Sequence, residues 1–278
     1  WATGARDGNT AVGWNTMKGA MNGAANNVAV GKSALLAVTT GGSNVAIGKS
    51  AMVTATTAAE NIAIGVSSLE SVQAGSGGNV ALGYYAMRLV DEGTGDGNAD
   101  YNIAIGYDAL KGGDFGGGND GKNLRHNIAI GFEALDASAA NSQTGTIAIG
   151  SSALTALTDG HQNIAIGYES LAVCTTGKRN TAVGWQTLHA NMNVGDNNTA
   201  VGYSSLYTYN PAADDEGDNT AIGAFSGYYI TTGEDNTCIG YAAGATGSQN
   251  LTTGDGNTIV GHNAIVSANG ASNQTVIG

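Results

Sequence analysis

Four histidines, His126, His161, His189 and His262, supply the candidate acid–base groups of the chain. His126 and His161 fall in turn-like text, His189 follows a leucine, and none has an Asp or Ser partner at a recurring distance. Nucleophilic catalysis needs nucleophile, base and orienting group in fixed mutual geometry. No H-E-x-x-H, C-x-x-C or G-x-S-x-G segment occurs. The glycine-rich run Gly116–Asp120 lacks the G-K-[ST] ending of a phosphate loop. The residues therefore predict no catalytic centre and no enzyme.

Two acidic stretches come closer to a chemistry. Asp91, Glu92, Asp96 and Asp100 form one, and Asp214, Asp215, Glu216 and Asp218 the other. Clustered carboxylates are hard oxygen ligands suited to Ca²⁺, but the G-G-x-G-x-D-x-U-x nonapeptide of calcium-binding β-helices is absent. Calcium at these loops is the one cofactor the composition offers, and no metal ligand is assigned. The third feature is aromatic: Trp14, Tyr84, Tyr107, Phe132, Tyr168, Trp185, Tyr203 and Tyr241 each directly follow a glycine. Aromatic faces stack on sugar rings and apolar ligands, so a glycan-binding stripe is one reading. Rings that cover a corner or pack between neighbouring chains are the other, and the interruptions at Lys32, Lys49, Val66, Ser151 and Ala224 favour it.

The glycines before those rings belong to a repeat. N-I-A-I-G-Y-D-A-L at Asn102–Leu110 returns as N-I-A-I-G-F-E-A-L at Asn127–Leu135 and N-I-A-I-G-Y-E-S-L at Asn163–Leu171. Anchored on its glycine, the unit occurs fifteen times, at Gly13, Gly31, Gly48, Gly65, Gly83, Gly106, Gly131, Gly150, Gly167, Gly184, Gly202, Gly223, Gly240, Gly261 and Gly278. The shortest spacing is 17 residues and every departure is an insertion, as a coil of fixed circumference with one extensible corner requires. Val, Ile or Leu precedes each glycine, and Ala stands two before it except at Cys238, Ile259 and Val276. Four residues after it stands Leu, Met or Ile, except at Gly227 and Gly244.

The segment N-[TVI]-A-[VIL]-G alternates large and small apolar residues, which predicts a short strand. One face carries Ile103, Ile105 and their equivalents, fit to fill a core. The other carries Ala104 and its equivalents, where another backbone lies close, either a second side of the same coil or a second chain. Glycine ends each strand at a corner. The next stretch, Y-D-A-L in one copy, reads as a second strand or a single helical turn, with its Leu returning to the core. Asn stands four residues before the glycine in thirteen copies: Asn9, Asn27, Asn44, Asn61, Asn79, Asn102, Asn127, Asn163, Asn180, Asn198, Asn219, Asn236 and Asn257; Thr146 and Gln274 take its place in the others. A column of amides predicts a hydrogen-bonded ladder along the coil axis. The long insertions, Leu89–Tyr101, Lys111–His126, Tyr207–Asp218 and Ala245–Gly256, fall between the same two columns and are expected at one edge.

Residues 1–278 thus read as a single repeat array, an all-β β-solenoid (β-roll or β-prism-like) of about fifteen coils. At ~4.8 Å per coil it would be on the order of 70 Å long. A net charge of −12 with scattered Lys and Arg argues against nucleic acid and anionic membranes, and no apolar run is long enough for a membrane-spanning helix. Cys174 and Cys238 lie several coils apart and read as free thiols. Thr10, Thr181, Thr199, Thr220, Thr237, Thr258 and Thr275 share a column, but Val and Ile fill it from Val28 to Ile164, which argues against an ice-binding face. Trp1 opens the chain mid-pattern and both ends read as uncapped, so flanking domains or a next subunit are expected to cover them.

The unit resembles the head repeats of trimeric autotransporter adhesins, and more closely the N-T-A-[VI]-G-Y-x-[AS]-L arrays of bacteriophage tail fibres and related bacterial surface proteins. Asn180–Leu188 (N-T-A-V-G-W-Q-T-L) and Asn198–Leu206 (N-T-A-V-G-Y-S-S-L) carry the likeness best. The resemblance implies a parallel homotrimer with an attachment or spacer role on a virion or cell surface. The expectation is a structural or adhesive fibre, with self as partner and host glycan as a further one. A head-to-tail surface filament and a glycan- or calcium-binding module are the alternatives.

Overall fold

The computed structural model describes residues 8–72, 75–89, 98–112, 123–137, 143–189, 194–213, 216–245 and 250–278. The chain divides into two compact units, Trp1–Gly145 and Thr146–Gly278. Each is a parallel β-solenoid, and no helix occurs among the described residues.

In the first unit β1 (Thr10–Val12), β2 (Val28–Val30), β3 (Val45–Ile47), β4 (Ile62–Ile64) and β5 (Val80–Leu82) stack one on the next. β6 (Asn98–Asp100), β7 (Ile103–Ile105), β8 (Asn123–Arg125), β9 (Ile128–Ile130) and β10 (Gln143–Thr144) follow. β7 and β9 continue the stack, whereas β6, β8 and β10 form a small parallel sheet of their own. The longer blocks therefore add a second, partial wall where the shorter ones have a plain turn. In the second unit β11 (Ile147–Ile149), β12 (Ile164–Ile166), β13 (Thr181–Val183), β14 (Thr199–Val201), β15 (Thr220–Ile222), β16 (Thr237–Ile239), β17 (Thr258–Val260) and β18 (Thr275–Ile277) pair in chain order. Register joins like to like: Val28 pairs Val45, Ala29 pairs Ala46 and Val30 pairs Ile47.

The strand faces are reversed from the sequence expectation. The small column lies inside: Ala29, Ala46, Ala63, Ala104, Ala165 and Ala200 are fully buried. The columns of larger residues point out, and Ile47, Ile62, Leu82, Ile166, Ile222 and Ile239 are each between 37% and 43% exposed. The cause is the narrow bore of the coil. Across it stand the buried leucines and methionines four residues after each glycine, Leu35, Met52, Leu69, Leu110, Leu154 and Leu171 among them. With that side chain present, the facing strand has room only for a methyl. The close neighbour of the alanine column is thus the opposite side of the same coil.

The stretch after the glycine is neither strand nor helix. It is a tight double turn in which residues two and four past the glycine are left-handed: Ser33 and Leu35 have φ of 59° and 46°, and Glu169 and Leu171 of 52° and 50°. Left-handed backbone is hardest on β-branched residues. The one β-branched residue at the fourth position, Ile265, is not left-handed, and its neighbour Val266 takes the buried place instead. The anchor glycines line up in a row. A Cβ on Gly31 would lie 2.5 Å from the carbonyl oxygen of Gly48, and one on Gly184 would lie 2.5 Å from that of Gly202. With φ of 132° and 141° at these two positions, both the backbone conformation and the neighbouring rung demand glycine.

Candidate functional site

Each coil turns its strand, its corner glycine and the residue after that glycine toward the same outer surface. The strand supplies the Val and Ile columns, and the corner projects the aromatic column beside them. In the first unit Trp14 is 65% exposed and carries Lys32 Nζ 4.9 Å from its ring centre, a cation–π pair. Further along, Tyr84 stacks on Tyr107 at 5.3 Å and 7°, and Tyr107 on Phe132 at 5.4 Å and 14°. In the second unit Tyr168 stacks on Trp185 at 4.3 Å. All eight rings of the column are exposed.

The interruption at Ala224 is filled from the next position. Phe225 meets Tyr203 edge-on at 5.2 Å and 72°, and Tyr241 at 5.9 Å and 85°. A second column, five residues past the glycine, stacks His189 on Tyr207 at 5.5 Å and Tyr207 on Tyr228 at 5.1 Å and 2°. The sequence reading missed Phe225, Tyr207 and Tyr228 as aromatic positions and took His189 only as a candidate acid–base group. The signal was present, since Tyr207 and Tyr228 hold the same place in successive repeats. An open cleft of about 480 Å³ lies here, lined by Phe225, Tyr228, Tyr229 and Tyr241 with Ala242, Ala245 and Asn263.

The histidines sit on separate partners. His126 stacks on Tyr101 at 5.5 Å, and His262 on Tyr241 at 5.2 Å. His189 Nε2 lies 3.1 Å from Glu169 Oε2. Hydrogen bonds from Gln186 and Tyr168, together with His189, hold the Glu169 carboxyl below the usual carboxylate range. The acidic loops fall largely outside the described residues, including Asp91, Glu92, Asp96, Asp214 and Asp215, as does Gly116–Asp120. Of the rest, Asp100 accepts from Gly77 N–H and pairs with Arg125 at 3.1 Å, and Glu216 accepts from Ala213 N–H at 3.2 Å. Among the described residues no group of three or more His, Cys, Asp and Glu is placed to hold a metal ion.

The Asn column lies inside the wall. Asn27 donates from its backbone N–H at 2.9 Å and its Nδ2 at 3.1 Å to Asn9 Oδ1, and the same pair of bonds recurs through Asn44, Asn61, Asn79, Asn102 and Asn127. Each Nδ2 also donates to a turn carbonyl of the next coil, as Asn44 does to Ala58 at 2.8 Å. For Asn79, Asn102 and Asn127 that acceptor is Ala99, Leu124 or Gln143, one from each strand of the small sheet, which ties the insertions to the wall. In the second unit Asn163, Asn180, Asn198, Asn219, Asn236 and Asn257 are joined by backbone N–H to Oδ1 bonds in sequence, ending at Gln274. The amides from Asn27 to Asn257 are buried and rigidify the wall that carries the outer columns.

No family model matches the chain, and no curated protein or solved structure does so either.

Proposed function

We propose that the chain is the shaft of an extracellular fibre of the tail-fibre or surface-adhesin kind, and that its outer Val and Ile columns are the face on which copies of the chain associate, as a parallel homotrimer. The observation that carries this reading is the placement of Ile and Val outside and Ala inside. A soluble chain rarely exposes a contiguous apolar patch beyond a few hundred Å² unless something covers it. Here two apolar rows run along the strands of the first unit and one, Ile149 to Ile277, along those of the second, where Thr181 and its equivalents take the other, with half-exposed rings beside them. Burial at roughly 25 cal/mol per Å² makes such a face self-adhesive.

The stacking of Tyr84, Tyr107 and Phe132 favours packing over glycan capture along that run. The rings cover one another's faces and leave edges to solvent, whereas a sugar platform needs a free face. Sedimentation velocity of the chain at micromolar concentration tests the reading. Trimers or larger assemblies are expected, falling to monomer when Ile62→Lys and Ile166→Lys are combined. A chain that sediments as a monomer at all concentrations contradicts it.

A further inference from the structure

We infer that the cleft of the second unit formed by Phe225, Tyr228, Tyr229 and Tyr241 is a binding site for a trimethylammonium head group, as in choline. The inference needs only the fold of this unit and is independent of the fibre reading.

The first argument is ring geometry. In the first unit the column Tyr84, Tyr107 and Phe132 stacks nearly parallel, at 7° and 14°, and its rings cover one another. Around this cleft successive rings are turned steeply: Phe225 to Tyr241 at 85°, Phe225 to Tyr228 at 58° and Tyr228 to Tyr229 at 72°. Four rings turned against one another wall a hollow from several sides instead of offering one flat platform. A quaternary ammonium seated in such a hollow meets several rings at once, and every ring face turned toward it adds a favourable cation–π contact. The polar groups of the lining are the hydroxyls of Tyr228, Tyr229 and Tyr241 and the Asn263 amide, all of them neutral.

The second argument is charge. Residues 146–278 hold ten Asp and Glu against two Lys and Arg, a net charge of −8. No Lys or Arg lines the cleft. The field therefore favours a cation, and nothing in the lining competes for the rings. The volume, about 480 Å³, falls in the range of small-ligand sites. The cleft is built on the left-handed turns at Phe225 and Ala242, both fixed by the repeat, so the walls are held in place before any ligand arrives.

The test is calorimetric titration of the full chain with choline chloride and with its uncharged isostere 3,3-dimethylbutan-1-ol. Choline is expected to bind at one site per chain and the isostere at least about tenfold more weakly, a factor equal to about 1.4 kcal/mol. Tyr229→Phe and Tyr241→Phe should retain choline binding, and Tyr229→Leu and Tyr241→Leu should each weaken it about tenfold with the unfolding midpoint unchanged. Phosphatidylcholine vesicles form a second arm. Capture assigns the head group to a lipid, and choline binding without capture assigns it to a soluble or polymer-borne source; both uphold the site. Equal affinity for choline and the isostere, binding of neutral monosaccharides in place of choline, or a folded chain that binds neither overturns the inference.

Discussion

A Cβ on Gly244 would lie 3.2 Å from Cys238 Sγ and 3.3 Å from Ile259 Cδ1. Two irregularities of the repeat are thus one compensation. Where the inward Leu is reduced to glycine, the facing Ala is enlarged to Cys and, one coil on, to Ile, and the narrow core stays filled. Gly227 shows the same balance, its missing Cβ lying 3.1 Å from Ile230 Cδ1. Close-packed interiors tolerate exchanges that conserve volume and resist those that do not. Ile259→Ala, which leaves a void that Gly244 cannot fill, is expected to cost about 2–5 kcal/mol in urea unfolding.

Burial also governs the chemistry of Cys238. The apolar surroundings push its thiol from 9.0 up to about 12. The thiolate is the reactive form, so alkylation by iodoacetamide at pH 8 should leave Cys238 unmodified in the folded chain and modify it on unfolding. The linkage has a definite sign. The folded-state value is raised, so the contribution is complete below pH 9 and is lost as pH climbs toward 12, where unfolded chains release a proton that folded ones keep. Chemical denaturation from pH 8 to 11 should show stability falling, and Cys238→Ser should fall less steeply.

The Asn wall makes a sharper demand. Asn44 donates through Nδ2 to Asn27 Oδ1 and Ala58 O, and its Oδ1 accepts from Asn61. Asn44→Ala leaves buried partners unsatisfied, at about 1–3 kcal/mol. Asn44→Asp removes both donors and sets a carboxylate against two acceptor oxygens. It should be the worse variant at pH 7 and should recover part of the loss as pH is lowered and the acid regains a proton. Urea midpoints at pH 4 and pH 7 check both.

Much of this was legible in the residues. The period, the parallel stack, the row of corner glycines and the inward leucines follow from columns that repeat with a fixed minimum. The orientation of the strand was not legible. In I-A-I both faces are apolar, and only the width of the coil decides which one turns inward. The turn after the glycine was also hidden, because Ser33 and Leu35 carry no obvious left-handed signature; its trace is the scarcity of β-branched residues where Leu35 stands. Phe225 and Tyr228 escaped notice because they stand outside the column directly after the glycine. Their contacts depend on how the double turn places the side chains.

The central claim is that each strand turns its small residue inward and its large ones outward, and Ala165 with its neighbour Ile166 tests it most directly. Ala165 is fully buried and Ile166 is 37% exposed. Urea unfolding of Ala165→Leu and Ile166→Ala, at concentrations where the chain is monomeric, should show a loss of about 1–3 kcal/mol or more for the first, from overpacking, and a change within about 1 kcal/mol for the second. The reverse ranking, with Ile166→Ala badly destabilised and Ala165→Leu tolerated, would contradict the account.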